Sequence, residues 1–157
     1  MHAMATYRRR RSELGVTLTH AWIGYTAELE GDADQAEAHH IESLTIAREI
    51  GDPRAVALPL EGLAGVAVLR GDYQRCATLL GGATALRASV DAPLPPAERV
   101  DVDRAAAAAH ANLDNIAFDL AFDQGAGMTL EAACTYATTL KPSSTFHDAA
   151  RRVEPPP

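Results

Sequence analysis

A Gly-Asp dipeptide recurs every twenty residues along this chain of 157 residues, at Gly31-Asp32, Gly51-Asp52 and Gly71-Asp72. Glycine is favoured just past the end of a helix, where φ becomes positive, and aspartate is a favoured N-cap residue. Such a pair can therefore end one helix and begin the next within two residues. The spacing predicts helices of roughly sixteen to eighteen residues, each turning back on the helix before it.

Apolar residues between these pairs follow helical spacing. Val56, Leu60, Leu63 and Ala67, for example, recur at steps of four, three and four. We therefore predict an all-α protein without strands. The predicted helices cover 5–14, 16–30, 33–50, 54–70, 73–91, 96–112 and 115–124, followed by a short helix over 129–140.

Two stretches of the chain resemble the tetratricopeptide repeat: "GYTAELEGDADQA" (24–36) and "AGVAVLRGDYQRC" (64–76). In that family a small residue on the first helix of a unit packs against a small residue on the second. Gly24 with Ala36, and Ala64 with Cys76, occupy those positions. The resemblance implies tetratricopeptide-like antiparallel helical hairpins stacked as a short right-handed solenoid, with the Cys76 thiol buried between helices.

The C-terminal half contains "APLPPAER" (92–99) and "MTLEAA" (128–133). Here the chain resembles the C-terminal tetratricopeptide region of large actinobacterial LuxR-type, ATP-binding transcriptional regulators. The resemblance covers most of residues 15–140. Residues 15–140 are therefore expected to form the helical domain. Because "YRRRRSELG" (7–15) is similar to "SLTIAREIG" (43–51), residues 1–14 are expected to be the end of a preceding repeat helix. Residues 141–157 are expected to be a disordered tail.

Charge and composition exclude several classes of function. The net charge of -7 argues against direct binding of nucleic acid, because phosphate contacts need a basic face. No apolar run approaches the length of a membrane span, so no membrane partner is expected. The two cysteines, Cys76 and Cys134, are too few for a disulfide framework, which favours reduced thiols and a cytoplasmic location.

Motifs for chemistry are missing from the sequence. It contains no nucleophile motif, no metal signature and no phosphate-binding Gly-Lys-Ser/Thr loop. We therefore predict no enzyme, no cofactor and no metal ion. The predicted function is a non-catalytic protein-interaction domain that binds a protein or peptide. It would be the C-terminal part, or a stand-alone relative, of a transcriptional regulator. The alternative is a helical domain that binds a small molecule.

A solenoid of this type usually offers its concave face to ligands. By repeat position that face is built from the first helix of each pair. It mixes acidic and apolar groups, so a basic, partly apolar peptide or ligand is the expected occupant. The predicted face comprises Leu18, Ala21, Tyr25, Glu28, Leu58, Glu61, Gly65 and Val68.

The first end of the array is predicted to self-associate. Trp22 and Ile23 lie on the helix side that a preceding repeat would cover, and a symmetric homodimer is the common result of such an apolar end. The alternative is that residues 1–14 fold back over this surface.

His20 and His40 are predicted to face each other, because each lies one turn from the Gly24–Ala36 contact. Two imidazolium ions at that distance would repel each other. A metal ion bridging the two rings is the alternative, although two ligands alone make a weak site.

Overall fold

The computed structural model describes residues 2–139, and within them it contains seven α-helices, one 3-10 turn and no strand. The all-α prediction is confirmed, while the predicted tail over 141–157 lies outside the described residues. The elements are α1 (His2–Glu30), α2 (Ala33–Ile50), α3 (Pro53–Leu69), α4 (Tyr73–Ser89), the 3-10 turn (Pro96–Glu98), α5 (Val100–Asn112), α6 (Asn115–Ala126) and α7 (Leu130–Thr138).

The three Gly-Asp pairs form the turns that the sequence predicts. Gly31, Gly51 and Gly71 have φ of 78°, 72° and 71°, the left-handed conformation that glycine adopts without strain. Each following aspartate caps the next helix with its side chain: the three carboxylates accept hydrogen bonds from the backbone N–H groups of Gln35, Arg54 and Arg75. Two-residue turns therefore join α1 to α2 and α2 to α3, and a three-residue turn over 70–72 joins α3 to α4.

The start of the chain differs from the prediction. The two helices expected over 5–14 and 16–30 are one continuous helix, α1. Gly15 costs about 1 kcal/mol relative to alanine in a helix interior, which neighbouring turns can absorb. It also lacks the positive φ that helix termination by glycine requires. Residues 4–12 are exposed along this extension, so they do not fold back over Trp22.

A second difference lies after α4. The helix predicted over 96–112 is divided into the 3-10 turn at Pro96–Glu98 and α5, which begins only at Val100. Pro95 and Pro96 explain this late start, since neither has an N–H to donate and proline disfavours helical φ and ψ in the residue before it.

The core lies where the last three helices pack onto α3 and α4. Consecutive helices pack against each other from α1 to α4, and α4 also packs against α6. Helix α3 contacts both α5 and α7. The buried apolar side chains of this core include Leu44, Val56, Leu60, Leu63, Leu79, Leu80 and Phe118.

Both cysteine thiols are buried and unpaired, as the sequence predicts. Burial, together with the charge of Asp72, raises the pKa of Cys76 to about 12. This thiol therefore behaves as a small packing group.

Glycines allow α4 and α6 to approach closely. A Cβ atom on Gly81 would collide with the carbonyl oxygen of Phe122, and one on Gly125 would collide with that of Thr78. Helix α4 is continuous through Gly81 and Gly82, so these two glycines form no bulge that would open space for a ligand. None of the helices in residues 2–139 combines the length and the apolar character that a bilayer crossing requires.

We expect Gly125→Ala to lower the free energy of unfolding by about 1–3 kcal/mol, because the added methyl group meets the backbone of α4 rather than a movable side chain. Gly127→Ala is the matched control. A Cβ atom there would lie 3.5 Å from its nearest neighbour, the Asp123 carbonyl oxygen. Its effect should stay within about 0.5 kcal/mol. Urea unfolding of both variants would measure the difference, and equal stabilities would contradict the close contact.

Candidate binding pocket between helices α1 and α3

A pocket of about 630 Å³ opens between α1, α3 and the segment 94–101, and we call it the α1–α3 pocket. Its walls are largely apolar, and its polar groups are four carboxylates, two guanidinium groups, a phenol and a hydroxyl. It is lined by Leu14, Thr17, Leu18, Ala21, Trp22, Tyr25, Asp52, Arg54, Ala55, Leu58, Glu61, Arg87, Leu94, Ala97, Glu98, Val100 and Asp101.

Five of the eight residues predicted for the concave face line this pocket: Leu18, Ala21, Tyr25, Leu58 and Glu61. The other three, Glu28, Gly65 and Val68, are not among its lining residues. Carboxylate oxygens of Glu28 lie instead against Gly65, where they fill the space that a Cβ atom would need. The pocket is therefore confined to the first part of the predicted face.

Sequence reasoning missed the wall formed by segment 94–101. Helical periodicity does not predict the position of a segment that connects two helices. The apolar pattern therefore gave no reason to expect Leu94, Glu98 or Asp101 beside α1. The one signal was composition, because "APLPPAER" combines apolar residues, an acidic residue and prolines that hold the chain extended.

The floor of the pocket is a buried ion pair between α3 and α4. Arg87 donates two hydrogen bonds to Glu61, from Nε to Oε1 over 2.6 Å and from Nη2 to Oε2 over 2.9 Å. The side chains of Glu61 and Arg87 are 5% and 13% exposed. Burial raises the pKa of Glu61, and the hydrogen bonds and charge of Arg87 oppose that effect. Because the two groups satisfy each other, neither has a full charge free for a ligand.

The rim of the pocket carries a negative charge. Asp52 is paired with Arg54, and this hydrogen bond lowers the pKa of Asp52. Asp101 is paired with Arg104, a residue outside the lining. Glu98 is exposed in the 3-10 turn. The four acidic residues of the lining and the three arginines that pair with them, Arg54, Arg87 and Arg104, leave one net negative charge, which favours a cationic ligand.

Two aromatic rings stand on the α1 side of the pocket. The rings of Trp22 and Tyr25 are 6.4 Å apart, and Trp22 is 67% exposed. Burial and the nearby carboxylates of Glu61 and Glu28 raise the pKa of Tyr25 well above its usual value. The phenol therefore remains protonated, and it makes a long hydrogen bond of 3.5 Å to the Leu58 carbonyl oxygen. Exposed aromatic faces attract apolar groups and cations.

The histidines pair differently from the prediction. His20 contacts His39, with 3.0 Å between their Nδ1 atoms. His40 instead contacts Glu28, with 2.6 Å between Nε2 and Oε1. The predicted pair of His20 with His40 is therefore wrong. The reason is Gly24, which leaves room for the His40 ring directly beside α1.

The Glu28–His40 pair is buried between three helices, with side chains 4% and 0% exposed. Gly62 on α3 gives the His40 ring the space it needs, in the same way as Gly24 on α1. Burial raises the pKa of Glu28, although the hydrogen bond and charge of His40 oppose that effect. Within the described residues, no group of three or more His, Cys, Asp or Glu side chains is arranged to hold a metal ion.

The ion pair at the pocket floor should be essential for stability. We expect Glu61→Ala to lower the free energy of unfolding by about 3–5 kcal/mol, because Arg87 would be left buried without its partner. Glu13→Ala is the matched control, since it removes the exposed Arg9–Glu13 pair and should cost far less. Denaturant unfolding of both variants tests this expectation, and comparable losses would contradict it.

The raised pKa of Glu28 predicts a pH dependence. The folded protein holds this proton at pH values where the unfolded chain, with a carboxyl pKa near 4.5, has released it. Wild type should therefore lose stability relative to Glu28→Gln as pH rises from about 4.5 through the raised pKa. Unfolding curves of both proteins at successive pH values measure the difference, and a wild-type advantage that grows with pH would contradict the assignment.

What the pocket can bind follows from the shape and charge of its lining. Comparisons with protein-family models, curated proteins and solved structures gave no match to this chain.

Proposed function

We propose that this chain is a non-catalytic protein-interaction domain, and that its α1–α3 pocket binds a basic, partly apolar segment of a partner protein. The observation that carries the proposal is the composition of the pocket. Apolar walls and an exposed tryptophan lie beside a rim whose acidic groups outnumber its arginines. Apolar contacts supply affinity in such a site. The charges of the rim favour a ligand of opposite charge and increase its association rate.

We further propose that α1 to α4 are two degenerate tetratricopeptide-like units in a short right-handed solenoid. The turns of two or three residues at the Gly-Asp pairs support this, as do the buried small residues Ala36, Ala64 and Cys76. From the resemblance carried by "APLPPAER" and "MTLEAA", we propose that the chain is the C-terminal part, or a stand-alone relative, of a LuxR-type regulator. Two unpaired buried thiols support a cytoplasmic location.

A small-molecule ligand is the second candidate function. The volume of the pocket, about 630 Å³, favours it because sites for drug-sized ligands usually have about 300–1,000 Å³. A cationic, partly aromatic compound would match the lining. Such a ligand can be found by screening a panel of metabolites. A compound that binds in the pocket should raise the melting temperature of the protein and change the emission of Trp22.

Trp22 provides a direct assay, because it is the single tryptophan of the chain and it lines the pocket. We expect a helix-forming peptide of arginine and leucine to shift the Trp22 emission to shorter wavelength as it covers the indole. The double variant Glu98→Arg/Asp101→Arg should bind this peptide roughly tenfold more weakly, which corresponds to about 1.4 kcal/mol.

The control peptide carries glutamate in place of each arginine and should leave the emission unchanged. Equal binding of both peptides, or full affinity in the rim variant, would contradict the proposed role of the acidic rim.

A further inference from the structure

The exposed half of α1 has the composition expected of a ligand for the α1–α3 pocket. We call residues 4–14 the arm. It contains Met4, Tyr7 and Leu14, which are 61%, 63% and 39% exposed, and a run of four arginines from Arg8 to Arg11. The arm is therefore a basic, partly apolar helix, which is the class of segment that the pocket favours.

An apolar stripe joins the arm to the pocket wall. Met4, Tyr7, Leu14, Leu18 and Trp22 lie on one side of α1, because with position 11 they follow one another at steps of three or four residues. All five are exposed. Three of them, Leu14, Leu18 and Trp22, also line the α1–α3 pocket. The stripe thus runs from the pocket into the arm, with Arg11 as the one charged residue within it.

The arginines are distributed unequally around the arm. Arg11 lies within the stripe, and Arg8 and Arg10 flank it, since each is three or four residues from a stripe residue. Arg9 lies on another side of the helix, where its Nε donates a hydrogen bond of 2.7 Å to Glu13. Among the described residues, the ion pairs include Arg9 but not Arg8, Arg10 or Arg11.

Apart from Leu14, which lines the pocket, the arm cannot enter the pocket of its own chain. Arm and pocket wall belong to one continuous helix, so the arm extends away from the wall along the same axis. The pocket of a second copy is open to it. From Met4 to Leu14 the arm is about 15 Å long, and from Leu14 to Tyr25 the wall is about 16 Å long, at 1.5 Å per residue.

We infer that two copies of this chain associate with their α1 helices antiparallel, so that the arm of each lies in the α1–α3 pocket of the other. A twofold axis near Leu14 places Tyr7 opposite Trp22 of the second copy. The arginines on the stripe side of the arm then meet the acidic rim at Glu98 and Asp101. Because the dimer is symmetric, the contact between arm and pocket occurs twice in it. The inference rests on the proposed function, because it names the partner segment that the pocket binds.

A charge exchange between two variants tests this arrangement. Variant one is Arg8→Glu/Arg11→Glu, which makes the arm acidic. Variant two is Glu98→Arg/Asp101→Arg, which makes the rim basic. In sedimentation experiments we expect each variant alone to dimerise at least about tenfold more weakly than wild type. Their equimolar mixture should regain the dimer, because each arm then meets a rim of opposite charge.

The matched control is Arg9→Glu, which changes the charge of the same helix on the side away from the stripe. It should dimerise like wild type. Tyr7→Ser provides a second disruptive variant that leaves the charges unchanged, and circular dichroism confirms that each variant is folded. In wild type, dilution should shift the Trp22 emission to longer wavelength as the arm of the second copy leaves.

Three results would overturn the inference: a wild-type protein that stays monomeric at high concentration, a mixture that stays monomeric, or an Arg9→Glu variant as defective as Arg8→Glu/Arg11→Glu. The proposed function is judged separately. If the arginine–leucine peptide binds in the pocket while the mixture stays monomeric, the pocket still binds basic segments and only the second copy is excluded as its partner.

Discussion

The hydrogen bond between Glu28 and His40 determines how the first three helices meet. It joins α1 to α2 over 2.6 Å, and both side chains press against glycines of α3. Removing a carboxylate and an imidazole from water is costly, so such a pair persists only where the packing around it is close. Gly24, Gly62 and Gly65 provide that packing, because any side chain at these positions would occupy the space of the pair. The distance between α1 and α3, and with it the width of the pocket, follows from this contact.

A second polar pair fixes the other side of the pocket. Arg87 lies in the last turn of α4, shortly before the connection that carries Leu94 and Glu98. Its two hydrogen bonds to Glu61 attach that end of α4 to α3. The large apolar core lies elsewhere, among α3, α4 and the last three helices. The pocket is thus positioned mainly by two buried polar pairs, whereas the core supplies most of the apolar burial.

The sequence predicted the parts of this structure that depend on local chemistry. Glycine and aspartate act through their own backbone and cap geometry, so the turns after α1, α2 and α3 could be placed to within a residue. The burial of Cys76 followed from the small side chain that its position in the repeat resemblance requires. Prediction failed where the outcome depends on tertiary contacts. The choice of Glu28 rather than His20 as the partner of His40 depends on glycines of two other helices. The break expected at Gly15 failed because glycine permits a helix end without imposing one.

Helix α1 continues through Gly15 without a break, so the arm and the pocket wall keep a constant rotational relation about the helix axis. One residue inserted near Gly15 would rotate the arm by about 100° relative to the wall and divide the stripe between two sides of the helix. An insertion of seven residues would leave a rotation of only about 20° while moving the arm about 10 Å outward. The stripe therefore stays on one side of the helix only when the inserted residues complete nearly whole turns, as about seven or eleven residues do.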